Sequence, residues 1–109
     1  MTGSGTILRI FEVQVKEGHV EELLENFSTT SSKVVQGHPG NRGYFFGTCV
    51  QGAENMVMFV SMWDDLDAVK RRFGEDWQAS YLPEGYERFI EACSIRHVDV
   101  GRGWHVHPT

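Results

Sequence analysis

The stretch MVMFVSMW, residues 56–63, is apolar on both parities of a strand. Successive strand side chains alternate between faces, so Met56, Met58, Val60 and Met62 would point one way. Val57, Phe59 and Trp63, joined by Ser61, would point the other way. A strand of this kind has to be covered on both sides. The chain therefore needs a layer of structure on each face of the sheet that holds it.

The flanking patterns supply the rest of that sheet. Residues 6–16, TILRIFEVQVK, alternate as a strand, with Ile7, Phe11, Val13 and Val15 on one parity. Leu8 and Ile10 share the other parity with Glu12 and Gln14. From His19 to about Gln36 the period becomes helical, and Val20, Leu23, Leu24, Phe27, Ser31 and Val34 form one stripe. Glu21, Glu22 and Glu25 suit the start of that helix; STTSSK is a poor helix former, so packing must hold the second half. Gly37-His38-Pro39-Gly40 ends it.

Residues 42–51, RGYFFGTCVQ, predict a further strand, joined to residues 56–63 by the hairpin-length loop Gly52-Ala53-Glu54-Asn55. Asp64 and Asp65 are N-cap candidates for a short helix striped by Leu66, Val69 and Phe73. Lys70, Arg71 and Arg72 suit its last turn, and Gly74 its C′ position. Pro83 predicts the start of another helix, with Tyr86, Phe89, Ile90 and Cys93 as its stripe. Residues 94–100, SIRHVDV, predict a last strand.

The order β-α-β-β-α(α)-β is the ferredoxin-like α+β pattern: a four-stranded antiparallel sheet with helices on one face. Its other face would be bare in a monomer, and here that face is apolar. Two sheets packed face to face in a homodimer would cover it, giving a dimeric α+β barrel. At 109 residues the chain is expected to be one domain, with a core at 6–100 and tails at 1–5 and 101–109.

A net charge of −5 argues against duplex nucleic-acid binding and against a polybasic membrane contact. Cys49 and Cys93 form no C-x-x-C pair and are expected as free thiols in a reducing compartment. The start MTGSGT has no signal-peptide pattern, and no apolar run approaches 18 residues. A cytoplasmic protein without membrane contact is expected.

The segments MWDDLDAVKRRF, IFEVQVKEGHVEELLENF and HPGNRGYFFG carry a resemblance to a known family. Over roughly residues 7–100 the chain resembles the antibiotic biosynthesis monooxygenase (ABM) superfamily of dimeric α+β barrels. It is most similar to a branch carrying GEDW, LPEGYERF and SIRHVDV stretches. The resemblance implies a pocket between sheet and helices. It also implies a choice of activity among cofactor-free oxidation of aromatic polyketides, quinol oxidation and haem degradation.

Trp63 matches the strand-end Trp that lines the pocket in such relatives. Parity puts Phe59 and Ser61 on the same face, and Phe73 comes from the helix that follows. Trp77, Tyr81 and Tyr86 would cover the same cavity as a lid. An aromatic hollow with a few polar groups suits a small, flat aromatic or quinone-like ligand.

His97, inside the last strand, is the candidate general base, because a cofactor-free oxygenase must first make its substrate a carbanion. The arginines Arg9, Arg42 and Arg96 can each bind a substrate oxygen, Arg42 at the pocket being the choice, though surface positions suit all three. Haem-degrading relatives place a ligating His after the strand-end Trp, but residues 64–96 contain no histidine. Their first-strand Asn corresponds to Phe11 here.

His105 and His107 make at most half a metal site. The expected protein is a cofactor-independent, metal-free monooxygenase. The alternatives are a non-catalytic small-molecule-binding dimer or a haem binder of the same fold.

Overall fold

In the computed structural model, which describes residues 6–101 apart from Ala53, four antiparallel strands form one sheet. The strands are β1 (Ile7–Val15), β2 (Asn41–Thr48), β3 (Met56–Trp63) and β4 (Ile90–Asp99), in the order β2-β3-β1-β4. The two-faced apolar strand β3 is central, as its sequence requires. The fold is the expected ferredoxin-like α+β arrangement, with helices on one face. No helix among the described residues is long and apolar enough to cross a membrane.

Helix α1 (Val20–Asn26) runs through a π-helical turn (Phe27–Ser31) into α2 (Ser32–Val35). The wider π turn takes up the poor helix formers in STTSSK, and it rotates the stripe. Leu23, Phe27 and Ser31 stay buried as the period predicts, but Val35 goes inside while Val34 is only half-buried. Helix α3 (Leu66–Phe73) begins as expected: the Asp65 carboxylate accepts from the Ala68 N–H at 2.9 Å. Asp64, the other N-cap candidate, faces Arg42 at 3.6 Å instead. Gly74 ends α3 at φ 76°, where an L side chain would be strained.

Two expected boundaries change. Strand β2 ends at Thr48, three residues before the predicted end at Gln51. The helix expected from Pro83 does not form. Gly85 at φ 89° leads into a single 3-10 turn, Tyr86–Arg88, and β4 starts at Ile90. Pairing with β1 decides the matter: Val13 faces Cys93, Gln14 faces Ala92 and Val15 faces Ile90, across a bulge at Gln14/Val15. The helical spacing at 86, 89, 90 and 93 arises because Tyr86 and Phe89 anchor the turn in the core while the others enter the strand.

The covered face carries two rows of side chains fixed by register. One row is Tyr44, Ser61, Arg9 and His97; the next is Phe46, Phe59, Phe11 and Ile95. Phe27 from the π turn meets Phe11, Phe46 and Phe59 edge to face, with centroids 5.3–6.4 Å apart. Such contacts add about 0.5–1.5 kcal/mol each beyond area burial.

The opposite face carries Leu8, Ile10, Phe45, Met58, Val60, Met62 and Val98, and among them Phe45 is 51% exposed. The Arg96–Glu12 ion pair, at 2.8 Å, edges this face. Cys49 and Cys93 are free thiols, both exposed.

Candidate functional site

A cavity of about 40 Å³ lies between these two rows and the helices. Phe11, Phe59 and Ile95 form its floor, Ser61 and Arg9 one side, and Ser31, Val34 and Val35 the helical side. Phe73, Tyr81 and Pro83 complete the wall. A benzene-sized ligand needs a cavity on the order of 150 Å³, so the site as it stands holds only a few waters. A ring system enters only if part of the wall moves.

Arg9 is the charged group of the site. It is only 4% exposed, which corrects the expectation of a surface position. Its parity explains this, because Arg9 lies between Ile7 and Phe11 on the buried side of β1. The guanidinium donates to the backbone carbonyls of Trp77 at 2.5 Å and Ala79 at 3.0 Å. It also lies 3.8 Å from the Phe73 ring centroid, in cation–π contact. Among the described residues no carboxylate pairs with it, and Arg72 adds repulsion. Burial first and Arg72 second lower its pKa to about 10, which leaves it charged at neutral pH.

His97 faces Arg9 across the β1–β4 ladder, with Nε2 3.0 Å from the guanidinium. Arginine can only donate, so Nε2 must be the accepting, unprotonated nitrogen. Burial first and the Arg9 charge second lower the ring pKa to about 4. Trp77 closes over this ring edge to face, with centroids 5.0 Å apart, and the Lys70 ammonium lies 5.4 Å from the Trp77 ring centroid. His97 therefore sits behind Arg9 rather than on the cavity wall.

Four residues expected at the pocket line the cavity: Phe59, Ser61, Phe73 and Tyr81. Trp77 reaches it only through its carbonyl on Arg9. Trp63 is fully buried below Phe73, with centroids 5.9 Å apart, and its Nε1–H donates to the Ser61 hydroxyl at 2.8 Å. Tyr86, expected as a lid, is instead a core residue at 2% exposure. Its hydroxyl bonds the Ser31 hydroxyl at 2.7 Å and the Asn26 carbonyl at 3.1 Å. Burial, the main influence, raises its pKa.

Arg42 is placed away from the cavity, donating to the Thr6 hydroxyl at 3.0 Å and facing Asp64. His38 borders a separate surface groove with Pro39, Arg71 and Arg72. The tail histidines His105 and His107 lie outside the described residues. The sequence reading did not single out Phe11, Ser31, Val34, Val35, Pro83 or Ile95 for the site. Strand parity was the available signal for Phe11 and Ile95; for Ser31 and Val35 the π turn hid it.

Known proteins share this architecture. MhuD, a haem degrader from Mycobacterium tuberculosis with two haems bound in its active site, is 19% identical. Their alignment covers 93% of this chain and 99% of MhuD, with a TM-score of 0.70. A NIPSNAP domain protein from Burkholderia xenovorans is 17% identical over 92% of this chain and 99% of its own, at 0.63. A NIPSNAP family protein from Agrobacterium tumefaciens is 18% identical over 90% and 88%, also at 0.63. At these identities the likeness is one of fold. No curated protein is significantly similar in sequence. The family model for antibiotic biosynthesis monooxygenase matches residues 6–81, well over half of the chain. The chain therefore belongs to the antibiotic biosynthesis monooxygenase family.

Proposed function

We propose that this protein is a cofactor-independent oxygenase acting on a small aromatic or quinol-type substrate held between sheet and helices. One observation carries the reading: a cavity walled by Phe11, Phe59, Phe73 and Tyr81 is also lined by the polar residues Arg9, Ser31 and Ser61. Aromatic walls with a few convergent polar groups are the usual form of a small-molecule site. The family match supports the reaction class.

The reaction consumes no co-reactant beyond dioxygen. A methylene between aromatic rings loses a proton to solvent water or hydroxide, and the carbanion passes one electron to dioxygen. Recombination forms the new C–O bond. Loss of water then leaves a carbonyl, so one oxygen atom stays in the product and the other leaves as water. Phe59 and Phe73 would stack on the rings, and Ser61 would orient a substrate oxygen. His97, its Nε2 already taken by Arg9, would hold that guanidinium in place rather than take the substrate proton. Trp63 would act from the core, fixing the Ser61 hydroxyl. The bare apolar face around Phe45 would pair with a second copy.

Oxygen uptake with a panel of anthrones and quinols tests the reading. Uptake above the spontaneous rate supports it; no uptake with any member of the panel removes it. A second reading, ligand binding without turnover, gains from the weak basicity of His97. Retention of an aromatic ligand with no oxygen consumed would select it.

A further inference from the structure

The guanidinium of Arg9 is the least expected group in this core. A buried cation costs free energy unless a negative partner and full hydrogen bonding compensate it. The buried cation has no carboxylate partner among the described residues. Its hydrogen bonds go to two backbone carbonyls, Trp77 and Ala79, and to neutral His97. The charged side chain that acts on it is another cation, Arg72. Arg9 also lines the aromatic cavity. A positive charge without a carboxylate partner among the described residues thus lies beside the small aromatic cavity.

From this arrangement we infer that the cavity selects ligands bearing an anionic oxygen on an aromatic ring, a carboxylate or a phenolate, and that Arg9 is the group that reads it. The inference rests on the aromatic-ligand reading above and narrows its substrate class. A carboxylate accepts two parallel N–H bonds from a guanidinium and a phenolate oxygen accepts a charge-assisted one, which neutral carbonyls cannot match in strength. The same bonds now hold the backbone at Trp77 and Ala79. Tyr81 and Pro83, two and four residues beyond Ala79, form part of the cavity wall. A ligand oxyanion that takes the guanidinium from these carbonyls therefore frees the wall segment that has to move. The cavity of about 40 Å³ then opens more readily for a ligand able to make that exchange.

The test is binding rather than turnover, so it is separate from the oxygenase reading. The full-length protein is titrated by calorimetry, near neutral pH, with 2-naphthoate and with its neutral isostere 2-naphthamide. The expected result is tenfold or greater preference for the acid. In Arg9→Gln the preference should fall to about onefold. Equal binding of acid and amide by the wild-type chain would overturn the inference, as would binding of neither. So would an undiminished preference in Arg9→Gln. The wild-type comparison stands even if that variant fails to fold. Anion-selective binding without oxygen uptake would leave this inference intact and remove only the oxygenase reading.

Discussion

Acidification should destabilise this protein through one histidine. The His97 ring titrates at about 4 in the folded chain, against an ordinary value of 6.5 when exposed. The folded state therefore excludes a proton that the unfolded state binds. The stabilisation is fully present above pH 6.5 and is lost as pH falls from 6.5 toward 4. Undiscounted linkage puts the loss between pH 7 and pH 5 at about 1.8 kcal/mol. The ring is only partly shielded from water, so solvent screening reduces this to about 1 kcal/mol. For a chain of this size that corresponds to a Tm shift of roughly 4–8 °C. Carboxylates titrate over the same range, and His97→Gln isolates the histidine, since its side-chain oxygen can still accept from Arg9. Urea unfolding of both proteins at pH 7 and pH 5 is the assay. The wild type should lose about 1 kcal/mol more than the variant on acidification. Equal losses would refute the placement of His97 against the Arg9 charge.

Three further perturbations read other parts of the structure. Trp63→Phe removes the indole N–H that bonds Ser61 and leaves a buried hydroxyl without its donor; it should cost roughly 2 kcal/mol in urea unfolding. Gly40→Ala should cost more than about 1 kcal/mol, read as a lowered melting temperature, because any side chain there is strained. Gly40 sits at φ 86°, and its Cβ would lie 2.5 Å from that of Ala68. Phe45→Lys places a charge on the bare sheet face; the proposed pairing predicts a dimer mass for the wild type by light scattering and a monomer mass for this variant, with far-ultraviolet circular dichroism unchanged.

The strand and cap signals were local, and they were legible. The two-faced apolar run at 56–63 became the central strand, Asp65 became the cap and Gly74 the stop. What was hidden depended on tertiary partners. The apolar spacing at 86–93 imitated a helix, yet β1 needed a full-length edge partner and converted the segment into strand. The π turn moved Val35 inward by one position, which no fixed period anticipates. At the site, parity grouped Phe59 and Ser61 on one face, while Trp63, expected there from its match to the strand-end Trp of relatives, is buried beside Ser61 and does not line the cavity. Arg9 shared parity with Phe11 and Ile7 and could have been found from that alone. The usual preference of arginine for the surface obscured it.

The central proposal is that the aromatic cavity does oxygen chemistry without a cofactor. The most direct measurement is oxygen consumption by the purified protein with an anthrone at neutral pH, against buffer alone. The account predicts consumption above the spontaneous rate, with one dioxygen used per anthrone converted to its carbonyl product. Consumption equal to that of buffer, while the anthrone remains bound, would contradict it.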